Sequence, residues 1–211
     1  MKALLISGGS PPSKELIEKE VQMSDYIIGI DKGLECLNKY NIEPDILVGD
    51  FDSVDRTIFE RMAALKKEMI RFPAEKDYTD TQLAVSKVLE LKADEVTILG
   101  ATGSRLDHTL ANVGLLYKCL KSDIKATIKD DNNLLFMADR DVELVNEGYR
   151  FFSLIAYGGT VKGLNIRGAK YELCNHNLMP EDNIAISNEF IGLNVQLSFK
   201  EGTLLIIFSR D

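Results

Sequence analysis

Tryptophan is absent from this 211-residue chain, histidine occurs only at positions 108 and 176, and cysteine only at 36, 119 and 174. Two distant histidines and three scattered cysteines give neither zinc-ligand spacing nor the even-numbered framework of a disulfide-stapled domain, so the thiols read as buried and reduced. No Gly-x-Ser-x-Gly elbow marks a serine nucleophile and no cysteine carries a nucleophile motif, which argues against covalent catalysis. Positive charge is also short. The 25 basic and 33 acidic residues leave a net charge of −8, which repels a nucleic-acid backbone. No apolar run approaches the length of a membrane span, and the short one after Met1-Lys2 ends at Gly8-Gly9-Ser10-Pro11-Pro12, too soon for a secretory signal. The expectation is a cytoplasmic protein with neither membrane nor nucleic-acid partners.

What is present is an ordinary globular composition, 45% hydrophobic and 27% charged, enough to build a core. As far as residue 131, short apolar runs at 3–7, 26–30, 46–48, 95–99 and 124–128 alternate with segments of helical period. That is the pattern of a parallel α/β sheet with helices on both faces. Ala84, Val88 and Leu91 predict one apolar helix face, and Leu106, Leu110, Val113, Tyr117 and Leu120 another. Beyond Asp130-Asp131-Asn132-Asn133 the runs at 151–157 and 193–199 are β-like and punctuated by glycine, without a long helix. Lys200-Glu201-Gly202-Thr203 between two apolar runs predicts a hairpin turn within a small antiparallel sandwich. The expected organisation is an α/β, Rossmann-like catalytic domain over 1–131 and a β-sandwich domain over 132–211.

Aspartates gather at the predicted strand ends and helix starts. Gly49-Asp50-Phe51-Asp52-Ser53 follows an apolar strand, and in extended backbone Asp50 and Asp52 face one space, where a magnesium ion would relieve their repulsion. The same residues read equally well as a polar loop capping a helix from about Val54. In Lys76-Asp77-Tyr78-Thr79-Asp80-Thr81-Gln82, Thr79 and Gln82 have capping-box spacing, so Asp80 enters the first turn of a helix. An isolated Asp80 there would simply favour the helix dipole, but Asp77 and Lys76 beside it make a site for a metal-nucleotide. Gly100-Ala101-Thr102-Gly103-Ser104-Arg105-Leu106-Asp107-His108 is a glycine-containing turn entering a helix, suited to phosphate, with Arg105 as a planar fork and Asp107 to orient it or accept from a substrate. Gly8 and Gly9 offer close backbone approach to phosphate, or an ordinary turn. Asp31 stands where a nucleotide sugar or a cation is often met, or caps the helix from Gly33.

In order and spacing, Asp31-Lys32-Gly33, Gly49-Asp50-Phe51-Asp52-Ser53, Asp77-Tyr78-Thr79-Asp80, Arg105-Leu106-Asp107-His108 and Ile186-Ser187-Asn188-Glu189-Phe190 closely resemble the motif series of thiamine pyrophosphokinases, over essentially the whole chain. The resemblance implies direct attack of the thiamine hydroxyl on the β-phosphorus of magnesium-ATP, giving thiamine diphosphate and AMP. It also implies a homodimer in which thiamine lies between the catalytic domain of one subunit and the sandwich of the other. By position, Asp50, Asp52 and Asp80 look like magnesium ligands with Asp77 close by; Arg105 and Asp107 line the ATP and thiamine pocket; Ser187 and Asn188 contact thiamine. Asp77 or Asp107 is the proton acceptor the resemblance leaves over. Two positions depart from the family pattern: Ser104 replaces a frequent glycine, and Lys32 a frequent glycine in Asp-Gly-Gly or Asp-Gly-Ala. Without tryptophan, aromatic packing on the thiazolium falls to Phe or Tyr. The rival readings are a hydroxymethylpterin diphosphokinase and a nucleotide sensor that transfers nothing.

Overall fold

The computed structural model describes residues 1–72 and 77–210, and the chain divides into two compact units, Met1–Asp131 and the part from Asn132 onward. The first unit carries strands β1 (Lys2–Ile6), β2 (Tyr26–Ile30), β3 (Ile46–Gly49), β4 (Glu68–Arg71), β5 (Glu95–Leu99) and β6 (Lys125–Lys129). Between them run helices α1 (Lys14–Gln22), α2 (Gly33–Lys39), α3 (Arg56–Ala63), α4 (Asp80–Glu90) and α5 (Leu106–Lys121). The strand order is β4-β3-β2-β1-β5-β6 and every pairing is parallel. The chain winds outward from β1 to β4, then returns to the other side of β1. That reversal opens a crevice at the carboxyl ends of β1 and β5, the place where open α/β sheets take their ligands.

The five expected strands are found, within a residue or so. β4 was not foreseen, because Glu68-Met69-Ile70-Arg71 is mostly exposed on the sheet edge and carries none of the apolar signal a central strand needs. The runs of β1 and β3 are continuous because both faces are covered. Leu4, Ile6 and Leu47 pack with Ile17 of α1, Leu34 and Leu37 of α2 and Met62 of α3. α4 lies against β2 and β3 and buries Ala84, Val85 and Val88.

The expected face of α5 holds only in part. Leu106 and Leu110 are 71% and 69% exposed; of the expected face Val113 is buried, and the helix buries Asn112, Leu115, Leu116 and Cys119 with it. Apolar residues surround most of this helix, so periodicity alone does not choose a side. What fixes the rotation is polar: the buried Asn112 carboxamide donates to the Ala101 carbonyl at 2.8 Å, and a buried amide must find such a partner.

In the second unit β7 (Asn133–Ala138), β9 (Phe151–Ala156), β12 (Asn188–Glu189) and β14 (Leu204–Ser209) form one antiparallel sheet, with β14 between β7 and β9. β8 (Val142–Val145), β10 (Val161–Arg167), β11 (Leu173–Leu178) and β13 (Asn194–Ser198) form a second, in the order β11-β10-β13-β8. Inward residues of both, among them Leu144, Phe152, Leu154, Leu164, Ile166, Val195 and Ile206, share one core, as in a sandwich. The segment 200–203 is not the expected hairpin. β13 pairs with β8 and β10 while β14 pairs with β7 and β9, so the segment passes from one sheet to the other. Gly202 is needed there for close approach: at φ +111°, a Cβ would lie 2.8 Å from the Val161 Cα.

Candidate active site

The loops leaving β1 and β5 are sewn together at the crevice. The Ser7, Gly9 and Ser10 amides donate to the carbonyls of Leu99, Gly100 and Thr102 at 2.9, 2.8 and 2.7 Å. The approach is so close that a Cβ on Gly9 would sit 2.3 Å from the Thr102 oxygen, and one on Gly100 2.2 Å from the Ser7 oxygen. The Gly9 amide therefore already has an acceptor, and the residue is glycine because two backbones meet there. Gly8 and Gly9, with Ser10, Thr102 and Gly103, line a cavity of about 620 Å³.

The ends of β2 and β3 supply the acidic wall. Asp31, Gly49 and Phe51 all have positive φ, at +46°, +148° and +64°. The Asp31 carboxylate accepts the Phe51 amide at 3.2 Å and the Ser53 hydroxyl at 2.7 Å, so its carboxylate shapes the 49–53 turn and does not cap α2, whose N-cap is Lys32. Extended backbone does not continue past Gly49, so the alternation along a strand from which Asp50 and Asp52 were expected to face one space does not apply to them. Their relation is instead a local turn in which the Asp52 amide donates to the Asp50 carboxylate at 3.0 Å. Asp50 lines the cavity; the Asp52 side chain is exposed beside it. The helix that follows is capped by Asp55, neither by Asp52 nor by Ser53.

Thr79 caps α4, its hydroxyl accepting the Gln82 amide at 3.2 Å, and this places Asp80 in the first turn and on the cavity wall. Asp77 is exposed and outside the lining, and Lys76 lies outside the described residues. The Thr81 hydroxyl meets that of Ser7 at 2.9 Å, tying α4 to the β1 loop. The Asp31 carboxyl is pushed up from its ordinary range, first by burial, against the pull of the Ser53 hydroxyl, and then by the charges of Asp80 and Asp50. Asp31, Asp50 and Asp80 thus crowd one another electrostatically. Among the described residues no set of three or more side chains stands ready to hold a metal ion. Like charges around one space, short of a complete cage, fit magnesium, which takes one or two carboxylates and completes its shell with phosphates and water.

On the opposite loop Arg105 precedes α5 without capping it through its side chain. Its guanidinium grips Asp107 through two bonds of 2.6 and 3.2 Å, and both residues are exposed. That grip holds the Asp107 carboxyl down at about 2. Of this pair only Arg105 lines the cavity, where Ser7, Lys32, Tyr78 and Thr102 also stand. None of those four was singled out from the sequence for its chemistry, and only Lys32 carried a signal there, as a departure from a family pattern.

In the second unit Ser187 is exposed at φ +56°, its amide donating to the Ser153 hydroxyl. Asn188 is buried, and its carboxamide is spent on the main chain of Tyr171: Oδ1 accepts the Tyr171 amide at 3.0 Å and Nδ2 donates to the Tyr171 carbonyl at 2.7 Å. Tyr171 itself is 57% exposed. The Lys170 ammonium stands over its ring, 5.4 Å from the centroid, as a cation does on an aromatic face.

Two family descriptions match the chain: "Thiamin pyrophosphokinase, catalytic domain" over residues 17–128 and "Thiamin pyrophosphokinase, vitamin B1 binding domain" over 141–204. The thiamine pyrophosphokinase of Bacillus subtilis is 36% identical over 217 residues, spanning all of both chains. The crystal structure of thiamine pyrophosphokinase from Bacillus subtilis superposes with a TM-score of 0.90 at 34% identity, each chain fully covered. That of thiamin pyrophosphokinase from Geobacillus thermodenitrificans gives 0.88 at 30% identity, covering all of this chain and 98% of the other.

Proposed function

We propose a mechanism for this chain, which belongs to the thiamin pyrophosphokinase family and transfers diphosphate to thiamine. The thiamine hydroxyl attacks the β-phosphorus of ATP in line; the new O–P bond forms as the bond to the bridging oxygen breaks, and AMP leaves. The carrying observation is the convergence of Asp31, Asp50 and Asp80 with two glycine-tight loops on one cavity at the β1/β5 crevice. Asp50, Asp52 and Asp80 are the residues that would hold magnesium, which neutralises phosphate charge when bound. Arg105 steadies the phosphoryl oxygens, and Asp107 keeps its fork in place. Asp77 or Asp107 takes the hydroxyl proton, Asp107 only when Arg105 has turned from it to the phosphate, since a carboxyl held near 2 is a poor proton acceptor at neutral pH.

The test is to supply magnesium-ATP with thiamine or with a hydroxymethylpterin and to assay AMP. AMP released with thiamine alone is the expected result. Release with the pterin would move the chain to the rival diphosphokinase activity, and no release with either would leave a nucleotide sensor.

Thiamine binding is assigned to Ser187 and to Tyr171, with Asn188 holding the tyrosine main chain. A cation over an aromatic face is worth enough that Tyr171→Ala is expected to raise the KM for thiamine about tenfold, leaving the KM for ATP in place. An unchanged thiamine KM would remove Tyr171 from the site. The chain is also expected to act as a homodimer, since association would cover the exposed Leu106 and Leu110 of the first unit and Ile184, Ile191 and Leu193 of the second.

A further inference from the structure

We propose that Lys32 binds the phosphate chain of the nucleotide and sets how strongly this chain prefers ATP to AMP, an inference that rests on the diphosphate-transfer reading of the cavity. Three aspartates line the cavity, Asp31, Asp50 and Asp80, and the chain as a whole is acidic. A triphosphate entering such a space needs fixed positive charge in addition to any metal ion. Among the described residues, the lysine and arginine side chains that line the cavity are Lys32 and Arg105. They are not equivalent.

The Arg105 charge is already answered by Asp107, through two hydrogen bonds. The Lys32 side chain is exposed, and among the described residues no carboxylate forms an ion pair with it. Its root is nevertheless fixed. The Lys32 carbonyl accepts the Glu35 amide at 3.1 Å, and its Cβ lies so near Gly8 that a Cβ on that glycine would come within 2.9 Å of it. Lys32 thus springs from the cavity wall directly against the β1 loop, with its charge uncommitted. A lysine ammonium is a compact point charge with rotatable donors, suited to following a phosphate chain through displacement.

The dependence on phosphate number separates this role from a structural one. ATP, ADP and AMP share base and sugar and differ in the charge that Lys32 would meet. Calorimetric titration of the whole chain with each nucleotide should show Lys32→Gln weakening ATP by about tenfold to a hundredfold, the range of a lost hydrogen bond to a charged group. AMP should change by less than about twofold on the same reasoning, since most of that charge is missing. Lys32→Arg should restore most of the ATP affinity, and in turnover Lys32→Gln should raise the KM for ATP without moving that for thiamine. Equal losses for all three nucleotides, or none, would overturn the assignment. Failure of the underlying reading looks different: unsubstituted protein would release no AMP from ATP and thiamine.

Discussion

Asp50→Asn and Asp80→Asn will each lower kcat for diphosphate transfer by about a hundredfold or more, because metal-assisted charge stabilisation supplies several kcal/mol and each 1.4 kcal/mol is about tenfold in rate. Both carboxylates face the cavity, and the amide keeps the shape while removing the charge that a cation requires. Steady-state kinetics across a magnesium titration is the check. The defect should shrink as magnesium rises, since a weakened site fills at higher concentration. Thermal unfolding should move little or even upward, because removing one of three crowded acids relieves repulsion at Asp31. Normal turnover at ordinary magnesium would contradict the ligand assignment; a lost fold with lost activity would leave these aspartates structural. Asp52→Asn belongs in the same series, and its exposed position beside Asp50 predicts the mildest defect of the three.

The second large effect lies away from the site. Glu20 of α1 is fully buried, and its carboxylate accepts from Lys129 at 2.8 Å and from Lys2 at 3.3 Å. Glu20→Ala is expected to destabilise the protein by about 3–5 kcal/mol, the usual cost of breaking a buried pair, because two lysine charges are then left with no answer. Denaturant unfolding measures it, and a loss under about 1 kcal/mol would mean the lysines swing into water instead. The same group makes a pH prediction. Burial pushes the Glu20 carboxyl up, but the bond from Lys129 and the charges of Lys129 and Lys2 more than offset it and hold the group below its ordinary value. A lowered folded pKa contributes stability in full above the unfolded value, about 4.3, and loses it as pH falls through the folded one. The stability gap between the unsubstituted protein and Glu20→Gln should therefore narrow on acidification below that value.

How much of this was legible in the sequence depended on where the information resides. The positions of the buried strands in the first unit were legible in alternating apolar runs, since burial of both faces writes itself into the residues as continuous hydrophobicity, whereas the order in which they lie side by side was not. Thr79 capping α4 was legible because a cap is a local bond within four residues. The rotation of α5 was not, since it depends on Asn112 finding the Ala101 carbonyl across the loop. The 200–203 segment misled because a hairpin and a crossing between sheets share the same apolar-glycine-apolar texture, and only the partners of β13 and β14 separate them. The family's aspartates could be named by motif, whereas the turn at Phe51 that governs how Asp50 and Asp52 relate rests on a carboxylate twenty residues upstream, Asp31. Lys32 shows the converse: a residue seen only as a departure from a pattern acquires a place once the loops of β1 and β2 are seen to touch.

The position of β14 between β7 and β9 bears on the order in which the chain is made. As the polypeptide leaves the ribosome, β7 and β9 emerge long before their shared neighbour exists, and each holds out a row of unpaired backbone groups. The first unit has all six of its strands by then and is free to fold. The second must wait for residues 204–209, so synthesis interrupted before Leu204 would release the α/β unit attached to a sheet with its middle strand missing.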